Sequence, residues 1–162
     1  MQHRRLKLVG GVVVALLVVA TPISADDTFR LGNVCEPVNL LVEELPHGAA
    51  EIGLTRGDIA TTVRSKLRAA RLYGTSRIIP VLYVNVNVQG IAFSVRLEFR
   101  KMLFDPISEM ANAATTWNKS MTGQSGSNAD YILSTASLLT DMFIDEYLRV
   151  NEPACPRSPI DP

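Results

Sequence analysis

The chain is short of the residues that carry most enzyme chemistry. It has two histidines, two cysteines and one tryptophan. One histidine, His3, falls in the leader described below, so a Ser-His-Asp, Cys-His or zinc arrangement would have to be built on His47 alone. His47 stands in Pro46-His47-Gly48, which reads as a surface turn, and no Gly-x-Ser-x-Gly elbow occurs anywhere. Zinc needs three or four ligands, so no metal and no cofactor is expected. A surplus of positive charge is also missing, since Lys+Arg and Asp+Glu both number 16. That balance argues against a nucleic-acid partner. No apolar run reaches the roughly 20 residues that span a bilayer comfortably.

What is present begins with a leader. His3, Arg4, Arg5 and Lys7 precede the apolar run Leu8–Ala20, Thr21-Pro22 breaks it, and Ile23-Ser24-Ala25 ends on a small residue. Residues 1–25 therefore read as a cleaved signal peptide, with an uncleaved anchor as the alternative. Cys35 follows Gly32-Asn33-Val34 and lies well past the leader, so a lipid anchor is not expected. Cleavage removes Arg4, Arg5 and Lys7 and leaves a mature chain with three more acidic than basic residues, in the periplasm or secreted, with no stable membrane anchor. In such a compartment Cys35 and Cys155, near the two ends of the mature chain, are expected to form a disulfide. A redox-active pair would need close spacing such as C-x-x-C.

Residues 26–37 read as a polar lead-in, 38–150 as one domain and 151–162 as a proline-rich tail. Residues 38–45 make a first strand, stopped by Pro46-His47-Gly48. A helix opens at Thr55 with Asp58 three residues on, a capping-box spacing. Ile59, Val63, Leu67 and Ala70 form its apolar stripe, Arg64, Lys66, Arg68 and Arg71 its solvated basic face, and Tyr73-Gly74 its end. Residues 81–99, VLYVNVNVQGIAFSVRLEF, alternate on both sides of Gln89-Gly90. With those two as the turn, Val88 faces Ile91, Val86 faces Phe93, Val84 faces Val95 and Leu82 faces Leu97, all on one side of the sheet.

Asp105-Pro106 starts a turn, after which residues 107–119 support two readings. Ala113 to Lys119 returns as a fourth strand, or 107–114 forms a short helix. Residues 122–128 read as a loop, Ser127 with Asp130 as a capping box, and a final helix runs from about Asn128 to Val150. Its stripe is Ile132, Ala136, Leu139, Phe143 and Tyr147, widened by Leu138 and Met142. The pattern β-α-β-β-(β)-α predicts an α/β (α+β) two-layer sandwich, a mixed sheet of three or four strands with two helices on one face.

The remaining clusters read most simply as surface. Glu43 and Glu44 point to opposite sides of a strand. Asp141 and Asp145 share a solvated helix face. The run Gly123-Gln124-Ser125-Gly126-Ser127 lacks the lysine of a P-loop, and Asn118-Lys119-Ser120 matches a glycosylation sequon. Tyr83, Asn85, Asn87 and Arg96 occupy the polar side of the hairpin and are candidate partner contacts. Trp117 joins them if exposed, or closes the core if it faces the sheet.

The stretch Gly53-Leu54-Thr55…Val63…Leu67-Arg68, then Leu82 to Val88, a hairpin, Thr115-Thr116-Trp117 and a long final helix, resembles small secreted bacterial α/β proteins of unassigned function. More distantly the layout is similar to the amino-terminal domain of the Tol-system propeller protein and to curli-secretion-type lipoproteins. The resemblance covers 38–150 and implies an exported binding or assembly module, with no catalytic residues carried over. The leading expectation is a non-enzymatic domain that contacts an envelope protein or other envelope component. A small hydrolase would gather His47 with carboxylates and a hydroxyl. A small-ligand carrier would hold a pocket between sheet and helices.

Overall fold

The computed structural model describes residues 24–76, 79–126 and 128–155. Residues 1–23, on which most of the signal-peptide reading falls, residues 77–78, Ser127, on which the capping-box reading falls, and residues 156–162 lie outside them. The elements are α1 (Ala25–Leu31), β1 (Asn39–Val42), α2 (His47–Glu51), α3 (Arg56–Ala69), β2 (Val81–Gln89), β3 (Ala92–Asp105), β4 (Met110–Gln124) and α4 (Ala129–Asn151). The strands form one sheet in the order β1-β2-β3-β4. β1 is parallel to β2, which requires a crossover, and α3 supplies it; the other pairs are antiparallel. Helices α3 and α4 pack on each other and cover one face of the sheet, giving the expected α+β layering.

Alternation decides which side is covered. Leu82, Val84, Val86 and Val88 of β2 and Phe93, Val95, Leu97 and Phe99 of β3 are all buried. They meet Ile59, Val63 and Leu67 of α3 and Ile132, Ala136, Leu139, Phe143 and Tyr147 of α4 in one core. Around Phe143 sit Trp117, Phe99 and Tyr147, with ring centroids 5.2–5.6 Å away. Trp117 donates its indole N–H to Glu146 of α4 at 2.7 Å, so the largest buried side chain is also polar-satisfied.

Several sequence expectations change in detail. The β2–β3 turn is Gly90-Ile91, closed by Gln89 opposite Ala92, so Val88 faces Phe93 and Leu82 faces Phe99. The shift is two residues, which preserves the faces but moves Ile91 out to solvent. Gly90 at φ +60° explains it, because a two-residue hairpin loop with glycine first is the type II′ arrangement. Helix α3 does begin in a capping box of Thr55 and Asp58. It stops earlier than Tyr73-Gly74: Arg71 adopts φ +58°, with Leu72 N–H on the Leu67 carbonyl and Arg71 N–H on the Arg68 carbonyl. That is a Schellman motif with arginine where glycine is usual.

Residues 107–119 are not helical. Asp105 accepts from the Ile107 N–H and the Ser108 hydroxyl, which fastens the turn, and β4 returns along β3 from Met110. Pairing with β3 overrides the helix preference of the alanines. β4 continues through Thr122, Gly123 and Gln124, so the expected loop is shorter, and α4 is capped by Asn128 accepting from Asp130 N–H. Leu138 faces solvent and does not widen the core stripe. The lead-in is also structured. α1 buries Leu31, and Asn151 of α4 donates to the Leu31 carbonyl and accepts from Asn33 N–H. Beside it Cys35 and Cys155 form the expected disulfide, with Cα atoms 4.9 Å apart.

Candidate functional site

Among the described residues no helix covers the other face of the sheet, and its side chains interlock. Tyr83 of β2 lies opposite Glu98 of β3, Asn85 opposite Arg96, and Asn87 opposite Ser94. Glu43, just past β1, accepts from the Tyr83 hydroxyl and the Asn85 amide, and Asn85 in turn accepts from Asn87 at 2.7 Å. A chain of polar groups thus crosses from the β1 side along β2. The two hydrogen bonds onto Glu43 hold its carboxyl below the usual range, and the same contact with Glu43 raises the Tyr83 hydroxyl.

A second knot lies one strand over. Glu98 is 8 % exposed, although it sits on the uncovered face. Arg96 binds one of its oxygens at 3.0 Å; Arg100, at 2.6 Å, and Thr115, at 3.0 Å, bind the other. Burial pushes the Glu98 carboxyl up, but Arg100, Thr115 and Arg96 together outweigh it and hold the group ionised. Arg100 also stacks over Tyr83, 3.8 Å from the ring centroid, and so joins the two knots. Tyr83, Asn85, Asn87 and Arg96 therefore lie together on the open face of β2 and β3. Trp117 is not among them: at 1 % exposure it belongs to the core and offers no contact surface.

The residues that sequence reasoning missed are Glu43, Glu98, Arg100 and Thr115. Glu98 and Arg100 continue the even-numbered polar side of β3, which is the signal that could have found them. Glu43, just past β1, and Thr115, on β4, lie outside the hairpin and become visible only once strand order is known.

Beyond this network β3 and β4 outrun β2. The β2 pairing ends at Val81 opposite Arg100, whereas β3 and β4 pair on to Asp105 and Met110. Residues 101–114 thus form a two-stranded arm. It exposes Met102, Phe104, Ile107 and Met110, Ile107 to 94 %. Met102 and Phe104 follow Arg100 at two-residue spacing, so they extend the same open face. Lys101 points the other way and donates to the Phe29 and Gly32 carbonyls at the end of α1, which ties the arm's root to that helix. At the foot of the arm a cleft of about 600 Å³ is lined by Leu41, Arg56, Ile79, Val81, Arg100 and Ala113, on the open side of the sheet.

The other sequence candidates scatter. His47 is in the short helix α2 rather than a turn, with its side chain almost fully exposed and Glu51 3.8 Å away. Asp141 and Asp145 are both exposed, as expected, with Asp141 paired to Lys66 of α3 at 2.6 Å, whereas Glu146 is half-buried and binds Trp117 and Lys119. Asn118 of the sequon is exposed opposite Glu98. Among the described residues no group of three or more His, Cys, Asp or Glu side chains could hold a metal ion, and no helix is long and apolar enough to cross a membrane. No protein-family model matches the chain, and no curated protein is significantly similar to it.

Proposed function

We propose that the protein is an exported, non-enzymatic binding or envelope-assembly domain that holds a protein partner against its open sheet face. The observation that carries this reading is the continuity of one uncovered surface. It runs from the rigid polar network of Glu43, Tyr83, Asn85, Arg96, Glu98 and Arg100 to the exposed Met102 and Phe104. Apolar side chains beside ordered arginine and tyrosine are the composition of contact hot spots. A network already fixed by its own hydrogen bonds loses little side-chain freedom when a partner arrives.

The electrostatics favour binding over catalysis. Glu43 and Glu98 are held below the usual carboxylate range and Tyr83 above the usual phenol range, all away from the neutral values that serve general acid–base chemistry. His47 points into solvent, which speaks against the hydrolase alternative. The carrier alternative called for a pocket between sheet and helices; the cleft beside Arg100 opens on the opposite side. The Cys35–Cys155 disulfide is consistent with an oxidising, exported location, and periplasm or secretion is the finer placement we propose. The likeness to envelope α/β modules is a proposal on layout alone, supported by the order β1, α3, β2, β3, β4, α4.

Pull-down from envelope extract tests the reading, with wild type and a Tyr83→Ala/Arg96→Ala variant as bait. Loss of a specific partner with the double variant is expected. Unchanged recovery removes the open face as the contact surface.

A further inference from the structure

The two edges of the sheet are finished differently. β1 is only four residues long. Arg56 donates to its Val42 carbonyl at 2.8 Å, and Val38, just before it, is bridged to Tyr73. Those are the devices that stop a sheet from growing: a short edge, a charged side chain on it and a covering segment. β4 has 15 residues, and its outer side has no strand partner among the described residues. Its only charged residue is Lys119, which is drawn to Glu146 on the helix side. It holds no proline. A bulge at Thr116 interrupts it, where the Thr116 hydroxyl bonds the Arg30 carbonyl of α1 at 2.6 Å. From Ala111 to Thr115 the edge is neutral, small in side chain and mostly exposed.

We infer that this edge pairs with its counterpart in a second copy of the chain, β4 against β4 in antiparallel register about Ala113, to form a two-fold dimer with a continuous eight-stranded sheet. A two-fold interface sets each surface against itself, so identical charges near the axis would repel. The segment Met110-Ala111-Asn112-Ala113-Ala114-Thr115-Thr116 has none. Antiparallel strands place side chains of the same face opposite each other, and register about a residue, rather than between two, satisfies this for every pair. With Ala113 on the axis, Ala111 meets Thr115 and Asn112 meets Ala114, all small enough to allow backbone pairing.

The open-face pattern supports the same axis. Met102 lies beside Ala113 within one copy. Across the axis the row becomes Met102, Ala113, Ala113 and Met102 again, an unbroken apolar strip over four strands. An isolated two-stranded ribbon is marginal in water, and the second copy supplies the arm with its third and fourth strands. The acidic residues Asp105 and Glu109 flank Ile107 at the tip, away from the axis. The inference does not depend on the proposed partner on the open face, since oligomeric state is read without that partner.

Sedimentation equilibrium of the disulfide-intact exported protein tests it. Wild type is expected to be a concentration-dependent dimer. Ala113→Asp and Ala113→Lys each place like charges against each other at the axis and are expected to weaken the dimer by at least about tenfold. An equimolar mixture of the two is expected to restore it, because opposite charges then meet. That rescue also shows that both variants are folded. A wild-type monomer throughout, a dimer that both variants leave unchanged, or a mixture that stays monomeric each overturns the inference.

Discussion

The two faces of the sheet are made from the same strands by opposite means. The covered face uses bulk: Val84, Val86, Leu97 and Phe99 need only be apolar and of fitting size. The open face uses direction. Glu98 is tolerated there because three donors point at it, and Tyr83 is held in place because Arg100 stacks over its ring and its hydroxyl donates to Glu43. Bulk gives stability without specificity, whereas a fixed array of donors and acceptors gives a surface that a partner can read. The covered face should therefore be costly to alter in stability, and the open face costly in binding.

Trp117→Ala should produce the largest effect. It empties a site beside Phe143 and leaves Glu146 without its indole donor, and about 3–5 kcal/mol of unfolding free energy should be lost in urea titrations followed by circular dichroism. Replacing Cys35 and Cys155 by serine should cost about 2–4 kcal/mol in thermal melts.

Glu98→Gln should cost about 1–2 kcal/mol, since the amide keeps the shape but loses charge-assisted bonds to Arg96 and Arg100. The pH dependence sharpens this comparison. Glu98 and Glu146 have folded pKa values below the ordinary one, so their contribution is complete above about pH 4.3 and is lost as pH falls through the folded values. Acid titration of stability should be shallower in Glu98→Gln than in wild type. The smallest change belongs to Phe104→Ser on the arm, where chemical denaturation should move by less than about 0.5 kcal/mol. A large loss of stability there would mean that the arm belongs to the folding unit rather than to the contact surface.

The covered face was legible because alternation and helical spacing are local. Leu82 to Val88 and the stripe Ile132, Ala136, Leu139, Phe143 and Tyr147 fell where the pattern put them. The hairpin register was not, because a two-residue shift leaves the faces unchanged and only the preference of Gly90 for the first loop position distinguishes the two. The open face was half legible. Tyr83, Asn85, Asn87 and Arg96 share one hairpin, whereas Glu43 and Thr115 reach it across strand order, which no local pattern encodes. Residues 107–114 were ambiguous for the same reason: alanine suits either state, and pairing with β3 decided it.

The most direct test of the central claim sets the two faces against each other. A photo-crosslinking side chain would be placed at Asn87 or Met102 on the open face, and in parallel at Leu138 or Asp145 on the outer surface of α4, and each protein activated in the intact envelope. The account predicts adducts to a defined partner from Asn87 and Met102 and none from Leu138 and Asp145. Adducts from the α4 positions alone, or equally from both faces, would contradict it.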